Sequence, residues 1–343
     1  MRCDWIAPEA PQWAKLLDGI PHDVYHLPSY AQLAQRTEGG RAGAFIVDDG
    51  GSRFLVPLIL RPTRGDAVDA VSPYGYASPI WSSGASPEFL GGAVAAFVDA
   101  LRRERVVSAF IRLHPILTSD LAPFQSTGDV IAGAETVYLD LTDSTEALWK
   151  DTRENHRRSI RRAERAGFVA RCDAEWERLD EFLIAYRETM TRVQAAAYYF
   201  FPDDYYTALR DALRGRLYLL LVEQRDRVAA AGLFTECSGI VQYHLGGTRD
   251  DFLTEAPMKT LFHFARSWFK DRGARLLHLG GGVGSRDDSL FHFKAGFSSK
   301  RARFHSWQLI TAPEVYGELV ADWSREHGRS PGGTFFPAYR EPR

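Results

Sequence analysis

The chain has 343 residues, 45% hydrophobic and 25% charged, with a formal net charge of −2. This suits a globular protein with material for two ordinary cores, and it excludes a uniformly basic nucleic-acid binder, so any polyanion site must be a local patch. Cys3, Cys172 and Cys237 are scattered and form no C-x-x-C pair, which argues against a disulfide framework and against structural zinc.

No apolar run approaches the length of a membrane span, so no stable membrane insertion is expected. The N-terminus lacks the apolar core of a signal peptide, and a cytoplasmic protein is the expectation. The first pattern in the chain is L-P-S-Y-A-Q-L (Leu27 to Leu33), a predicted helix. It is followed by A-F-I-V-D-D-G-G-S-R-F-L-V-P-L-I-L (Ala44 to Leu60), two apolar strands flanking a short charged turn. S-P-Y-G-Y-A-S-P-I (Ser72 to Ile80) comes next. Phe97 to His114 reads as an amphipathic helix ending in basic residues, then a short buried strand. Thr136 to Leu141 predicts a strand, and Asp143 or Ser144 a helix cap just after it. A domain boundary is expected here, giving residues 1–140 and 141–343.

Lys150 to Arg171, a predicted basic helix, holds eight Lys/Arg against three acids. Arg153, Arg157, Arg161 and Arg165 recur every four residues and would form one stripe on a helix. Such a stripe can track RNA phosphates, or it can be a solvated face on which Glu154 and Glu164 pair locally. Arg192 precedes the aromatic run A-A-Y-Y-F-F-P-D-D-Y-Y (Ala196 to Tyr206). Tyr199 and its neighbours could wall a pocket or pack as core before a helix.

The pattern then repeats. At an offset of 174, Pro28 falls on Pro202, Phe45 on Leu219, Asp49 on Glu223 and Arg53 on Arg227; at 167, Phe97 falls on Phe264 and Arg105 on Arg272. Each copy reads as helix, antiparallel strands, helix, strand. That order departs from strict βαβαβ alternation and predicts an α/β protein with α+β mixed sheets, built from two tandem domains of one kind. Val241 to Gly247 is a predicted strand with Gln242 and His244 on one face. His244, His278 and His292 are candidates to accept a proton, or else satisfied structural histidines. No histidine–aspartate spacing suits a metal.

Near the end stands L-G-G-G-V-G-S-R-D-D-S-L-F-H-F-K-A-G-F, from Leu279 to Phe297. Neither register of its glycines matches G-x-G-x-x-G opening a helix, so a dinucleotide site is not indicated. The strand Leu276 to Leu279 instead runs into a loop whose glycines, Gly280, Gly281, Gly282 and Gly284, let a ligand approach the backbone. Asp288 or Ser289 could cap the following turn. Lys294, between Phe293 and Phe297, could stabilise developing negative charge or grip a phosphate; a surface lysine lying over aromatics is the bland alternative.

This segment resembles the C-terminal signature of the Fem-type peptidyltransferases. So does E-N-H-R-R-S-I-R-R-A-E-R-A-G-F (Glu154 to Phe168) followed by A-Y-R-E-T-M-T-R (Ala185 to Arg192), while S-P-Y-G-Y-A-S-P-I resembles the first-domain loop of the broader group. The resemblance spans about residues 25–310. It implies two tandem GNAT-like domains and transfer of an aminoacyl group from aminoacyl-tRNA to an amine, on a cell-wall precursor or a natural-product scaffold. It places Lys294 near the reacting carbonyl, Tyr74, Gly75 and Tyr76 beside the acceptor, and Arg192 on an anionic group of the acceptor. Cell-wall members commonly carry an arginine and a glycine-proline where this chain has Tyr74 and Tyr76.

The sequence thus predicts an aminoacyl-tRNA-dependent N-aminoacyltransferase with no cofactor beyond its co-substrate. In that reading Lys294 and the glycine-loop amides stabilise the oxyanion, and a histidine or water removes the ammonium proton. The rivals are an acyl-CoA-dependent N-acyltransferase and a non-catalytic scaffold. G-G-T-R-D-D-F-L-T-E-A-P-M-K (Gly246 to Lys259) carries acids where a pyrophosphate loop would carry glycines, which disfavours CoA.

Overall fold

The computed structural model describes residues 1–118, 120–282, 288–333 and 335–342. The chain forms two compact units, Met1–Gly133 with Arg303–Arg343, and Ala134–Ala302.

The first unit runs β1 (Arg2–Ile6), α1 (Pro11–Leu17), α2 (Pro28–Glu38), β2 (Arg41–Asp48), β3 (Arg53–Pro62), β4 (Val68–Val71), β5 (Ile80–Trp81), α3 (Pro87–Arg103), β6 (Val106–Leu113) and α4 (Ala122–Gln125). It ends with the start of β7 (Asp129–Asp140). Local signals set the helix ends. Pro28 opens α2, and Gly39, at φ +69, closes it in the left-handed conformation. Ser86 caps α3 by accepting from the Phe89 amide.

β3 is buried without a break from Phe54 to Leu60 because both faces are covered. Phe54, Val56, Leu58 and Leu60 pack in one cluster with α3. Leu55 and Ile59 pack in another with Trp13 of α1 and Ala31 and Ala34 of α2. The alternation is the two-residue period of a strand.

The second unit continues from β7 through α5 (Thr145–Asp151), α6 (Glu154–Arg165), β8 (Val169–Cys172), α7 (Leu179–Arg192), α8 (Asp203–Ala212), β9 (Leu217–Gln224), β10 (Arg227–Cys237), β11 (Ile240–Thr248), α9 (Met258–Lys270), β12 (Leu276–Gly280) and α10 (Ser289–Lys294). β13 (Arg301–Ile310) then leads back into the first unit, where α11 (Pro313–His327) follows.

The duplication read from the sequence is present as topology. In the first unit β2, β3 and β4 pair antiparallel, α3 crosses over, and β6 returns parallel to β4. In the second, β9, β10 and β11 pair antiparallel, α9 crosses over, and β12 returns parallel to β11. The closing strands are exchanged in chain order. β13, which follows the second copy, pairs antiparallel with β6; β7, which follows the first, pairs antiparallel with β12.

Three expectations change. The division at 140/141 gives way to a first unit that includes the C-terminal segment, because His305–Ile310 pairs with Ser108–Leu113 and Arg340 forms an ion pair with buried Asp69 at 2.8 Å. The basic stretch 150–171 is not one helix. Lys150 ends α5, Arg153 is the N-cap of α6, and Arg171 lies in β8. Gln242 and His244 do not simply share a strand face: Leu233 pairs with Leu245 and Phe234 with Tyr243, so the ladder steps over His244 as a β-bulge.

Candidate active site

The parallel pairing of β11 and β12 comprises Ile240–Leu276, Val241–Leu277 and Gln242–His278. The ladder ends there. β11 bulges at His244, and the β12–β7 ladder is irregular between His278 and Gly280. Gly280 takes φ +77, a left-handed conformation that favours glycine. Two strands that part in this way leave main-chain groups facing a gap instead of each other.

Lys294 stands at this place. Asp288 caps α10 by accepting from the Phe291 amide at 2.9 Å, and Lys294 ends that helix. Its side chain is buried, 6% exposed, and Nζ donates to the Gly281 carbonyl at 2.7 Å. Nζ also lies 5.7 Å from the centroid of the Tyr243 ring. Burial pushes the ammonium down to about 8, partly offset by the charge of Asp288. A Cβ on Gly280 would sit 3.4 Å from Nζ, and one on Gly281 3.0 Å from the Glu135 carbonyl oxygen, so the first two glycines admit close main-chain approach. Gly282 is half-buried and Ser289 is exposed on the first turn of α10. Gly284 lies outside the described residues.

The surroundings hold the lysine in place. His156 of α6 is buried between Phe293 and Phe297, with Nε2 2.9 Å from the Phe293 carbonyl oxygen. A Cβ on Gly296 would fall 2.3 Å from that nitrogen, which explains the glycine in F-K-A-G-F. The Arg153 amide donates to Gly296 O at 2.8 Å. Sequence reading missed His156; its position inside the basic motif was the available signal. His278 is buried, with Nδ1 2.6 Å from Gln242 Oε1. The amide oxygen accepts, so Nδ1 carries the proton of this pair. His244 is half-buried and His292 exposed.

The other expected residues sit elsewhere in their units. Arg157 is taken up by Glu154 at 2.6 Å and by the Trp149 and Lys150 carbonyls. The exposed basic face of α6 is therefore Arg158, Arg161, Arg162 and Arg165 rather than the expected stripe. Arg153 remains exposed at the cap and reaches the His292 carbonyl. Arg192 is ion-paired with Asp250 and bonded to Thr189, so it is not poised for a ligand anion. The Tyr199 carbonyl accepts from the Tyr186 hydroxyl at 2.9 Å.

In the first unit, Tyr74, Gly75 and Tyr76 follow β4, the counterpart of β11. Gly75 is at φ +96, and a Cβ there would fall 2.2 Å from the Tyr25 ring. The Tyr76 ring meets Tyr25, His114 and Phe304 edge-on, with centroids 5.8–6.0 Å away. Beneath it lies a polar clip that sequence reading did not identify. Buried His114 donates from Nε2 to buried Asp23 at 2.9 Å, while its Nδ1 accepts from the Ile116 and Leu117 amides. His26 donates from Nε2 to the Ser78 carbonyl at 3.1 Å and accepts from the Asp23 amide. Burial, reinforced by neighbouring His114, pushes His26 down to about 3.

Among the described residues no group of three or more His, Cys, Asp or Glu is arranged to hold a metal ion, and no helix is long and apolar enough to cross a membrane.

Residues 150–295 match the family model described as an acetyltransferase (GNAT) domain. Among solved structures, the chain resembles FemX at 13% identity and TM-score 0.73, over 93% of this chain and 99% of that one. It also resembles the C-terminal domain of a putative lysylphosphatidylglycerol synthetase from Agrobacterium fabrum, at 14% identity and TM-score 0.56, over 90% and 95% of the two chains. L-PGS from Bacillus licheniformis aligns at 14% identity and TM-score 0.56, over 88% and 92%. No curated protein matches. With the duplicated topology, these likenesses give the chain a Fem-type fold of two tandem GNAT-like units, the second carrying the acetyltransferase domain match.

Proposed function

We propose that the protein is an acyltransferase that moves an aminoacyl group from aminoacyl-tRNA to an amine, on a small-molecule scaffold or a cell-wall precursor, in the cytoplasm. The amine nitrogen attacks the ester carbonyl carbon. A C–N bond forms, the ester C–O bond breaks, the ribose hydroxyl leaves, and the ammonium proton passes to a base or to water. The donor is already activated, so positioning and oxyanion stabilisation supply most of the acceleration.

The observation that carries this reading is the buried Lys294 ammonium beside Gly280 and Gly281, where β11 and β12 part. A buried cation beside two glycines is suited to a tetrahedral oxyanion. The arginine face of α6, clamped through Arg153 to the same motif, suits the phosphates of an RNA donor. His278 and His244, on the strands that part, are the candidate bases.

A second reading, acyl-CoA-dependent transfer, is favoured by the GNAT domain match. Against it, the segment after β11 that would meet a diphosphate carries Asp250, Asp251 and Glu255. Both are tested by incubating the protein with candidate amines and either a pool of radiolabelled aminoacyl-tRNAs or acetyl-CoA. Product formation abolished by ribonuclease supports the first reading. Ribonuclease-insensitive acetyl transfer replaces it with the second.

A further inference from the structure

On the second unit, large apolar side chains stand in water in the segment that follows α7. Tyr198 is 59% exposed and Phe200 44%, and Val193 and Leu253 are exposed as well. Scattered apolar residues on a surface need no explanation, but a cluster marks an interaction site. The segment is held in place. The Val193 and Ala195 amides bond back to Thr189 and Met190 of α7, Tyr186 bonds the Tyr199 carbonyl, and the Tyr198 and Tyr199 rings lie 4.0 Å apart.

The one-turn-and-more 3-10 helix Asp250–Glu255, which carries Leu253, joins this segment to α6. Arg192 pairs with Asp250 on one side, and Arg162 donates to the Thr254 carbonyl at 2.8 Å on the other. The aromatic segment and the arginine face are thus linked through this short helix. The α6 depression sets four arginines against Glu164. The same 3-10 helix follows directly on the end of β11 that parts from β12.

Rings for stacking beside a row of cations fit a single-stranded nucleic acid, whose bases are free to stack while its phosphates are neutralised. A duplex would use the arginines and leave the rings idle. We infer that Tyr198, Phe200 and Leu253 form a stacking platform for the unpaired 3′ end of an RNA whose phosphates lie on the α6 arginines. The inference rests on the aminoacyl-tRNA reading, whose donor carries its acyl group on such an end.

The test uses full-length protein and two 5′-labelled RNA minihelices, one with a four-nucleotide unpaired 3′ tail and one blunt, with binding followed by fluorescence anisotropy across a salt series. The tailed RNA is expected to bind about 10-fold more tightly. The Tyr198→Ala/Phe200→Ala variant abolishes that preference and leaves blunt binding unchanged, whereas Tyr198→Phe keeps it. Arg161→Ala/Arg165→Ala weakens both RNAs and flattens the salt dependence. Equal binding of the two RNAs by the wild type, or a preference that survives loss of both rings, overturns the platform. So does co-sedimentation with anionic phosphatidylglycerol vesicles that is lost in the ring variant while no tail preference exists, which assigns the surface to lipid. Tail preference without aminoacyl transfer keeps the platform and removes the proposed reaction; transfer without a ring-dependent tail preference does the reverse.

Discussion

The two units end their parallel strand pairs in the same way and fill the opening differently. In the first, the last paired residues are Val71 and Phe110, and the space beyond is occupied by Tyr25, Tyr76 and the Asp23–His114–His26 clip. In the second, the last pair is Gln242 and His278, and the chain beyond turns through Gly280 to the Lys294 ammonium. Both openings contain buried polar groups. Those of the first are bonded to loop backbone and to one another, which fixes three loops in place. Lys294 instead keeps a charge that burial disfavours. One topology thus gives a braced aromatic wall in one copy and a pressured cation in the other; the proposed reaction would assign recognition to the first and chemistry to the second.

The largest expected effect breaks this division at its centre. Lys294→Met should lower kcat of the transfer reaction by about 100- to 1000-fold, in the range seen on removing an oxyanion donor, with the acceptor KM little changed. Tyr76→Ala should raise the acceptor KM and leave kcat within a few-fold. If both variants change the same parameter, the division of labour is wrong.

The matching glycines sharpen the comparison through stability. Gly75→Ala puts a Cβ into the Tyr25 ring at a positive φ and should cost about 3 kcal/mol in urea unfolding. Gly280→Ala makes only an ordinary 3.4 Å contact with Lys294 Nζ, and through its positive φ should cost about 1 kcal/mol while impairing transfer.

The paired residues themselves can be exchanged. Gln242→Leu leaves the buried His278 N–H without its acceptor and should cost about 1–3 kcal/mol. The Gln242→Val/His278→Phe double variant, which copies the first unit's pair, should recover part of that loss. Thermal unfolding of the single and double variants reads the coupling.

The smallest effect at neutral pH grows in acid. His26 protonates near 6.5 when unfolded but only at about 3 when folded, so the unfolded chain takes up more protons between those values. The stability it contributes is complete above pH 6.5 and is lost as pH falls toward 3. His263, pushed down to about 4 by burial, gives the second unit the same sign over a narrower window. Hydrogen exchange of residues 23–30 between pH 7 and 4.5 should show this loss, and His26→Gln should flatten it.

Much of this was legible in the chain. The duplication, the hairpins and the strand before the glycine run follow from periodicity and spacing, which local sequence carries directly. Asp288 as a cap and Lys294 among aromatics were readable for the same reason. The clip was not, because Asp23, His26 and His114 are 91 positions apart at the extremes and none stands in a motif. The bulge at His244 was also hidden: a ladder irregularity depends on the partner strand. The α6 stripe misled because a four-residue repeat says which side chains align, but not which of them a neighbouring carboxylate and carbonyls will occupy, as happened to Arg157.

The exchanged closing strands bear on how the protein is made. A ribosome that has released residues 1–133 has supplied all of the first unit's sheet except its final strand, and β6 waits with an open edge until Ile310 has left the tunnel. Completion of the first unit's sheet is therefore postponed until the second unit has been made. A nascent chain stalled before β13 should be far more susceptible to protease than one stalled just after it.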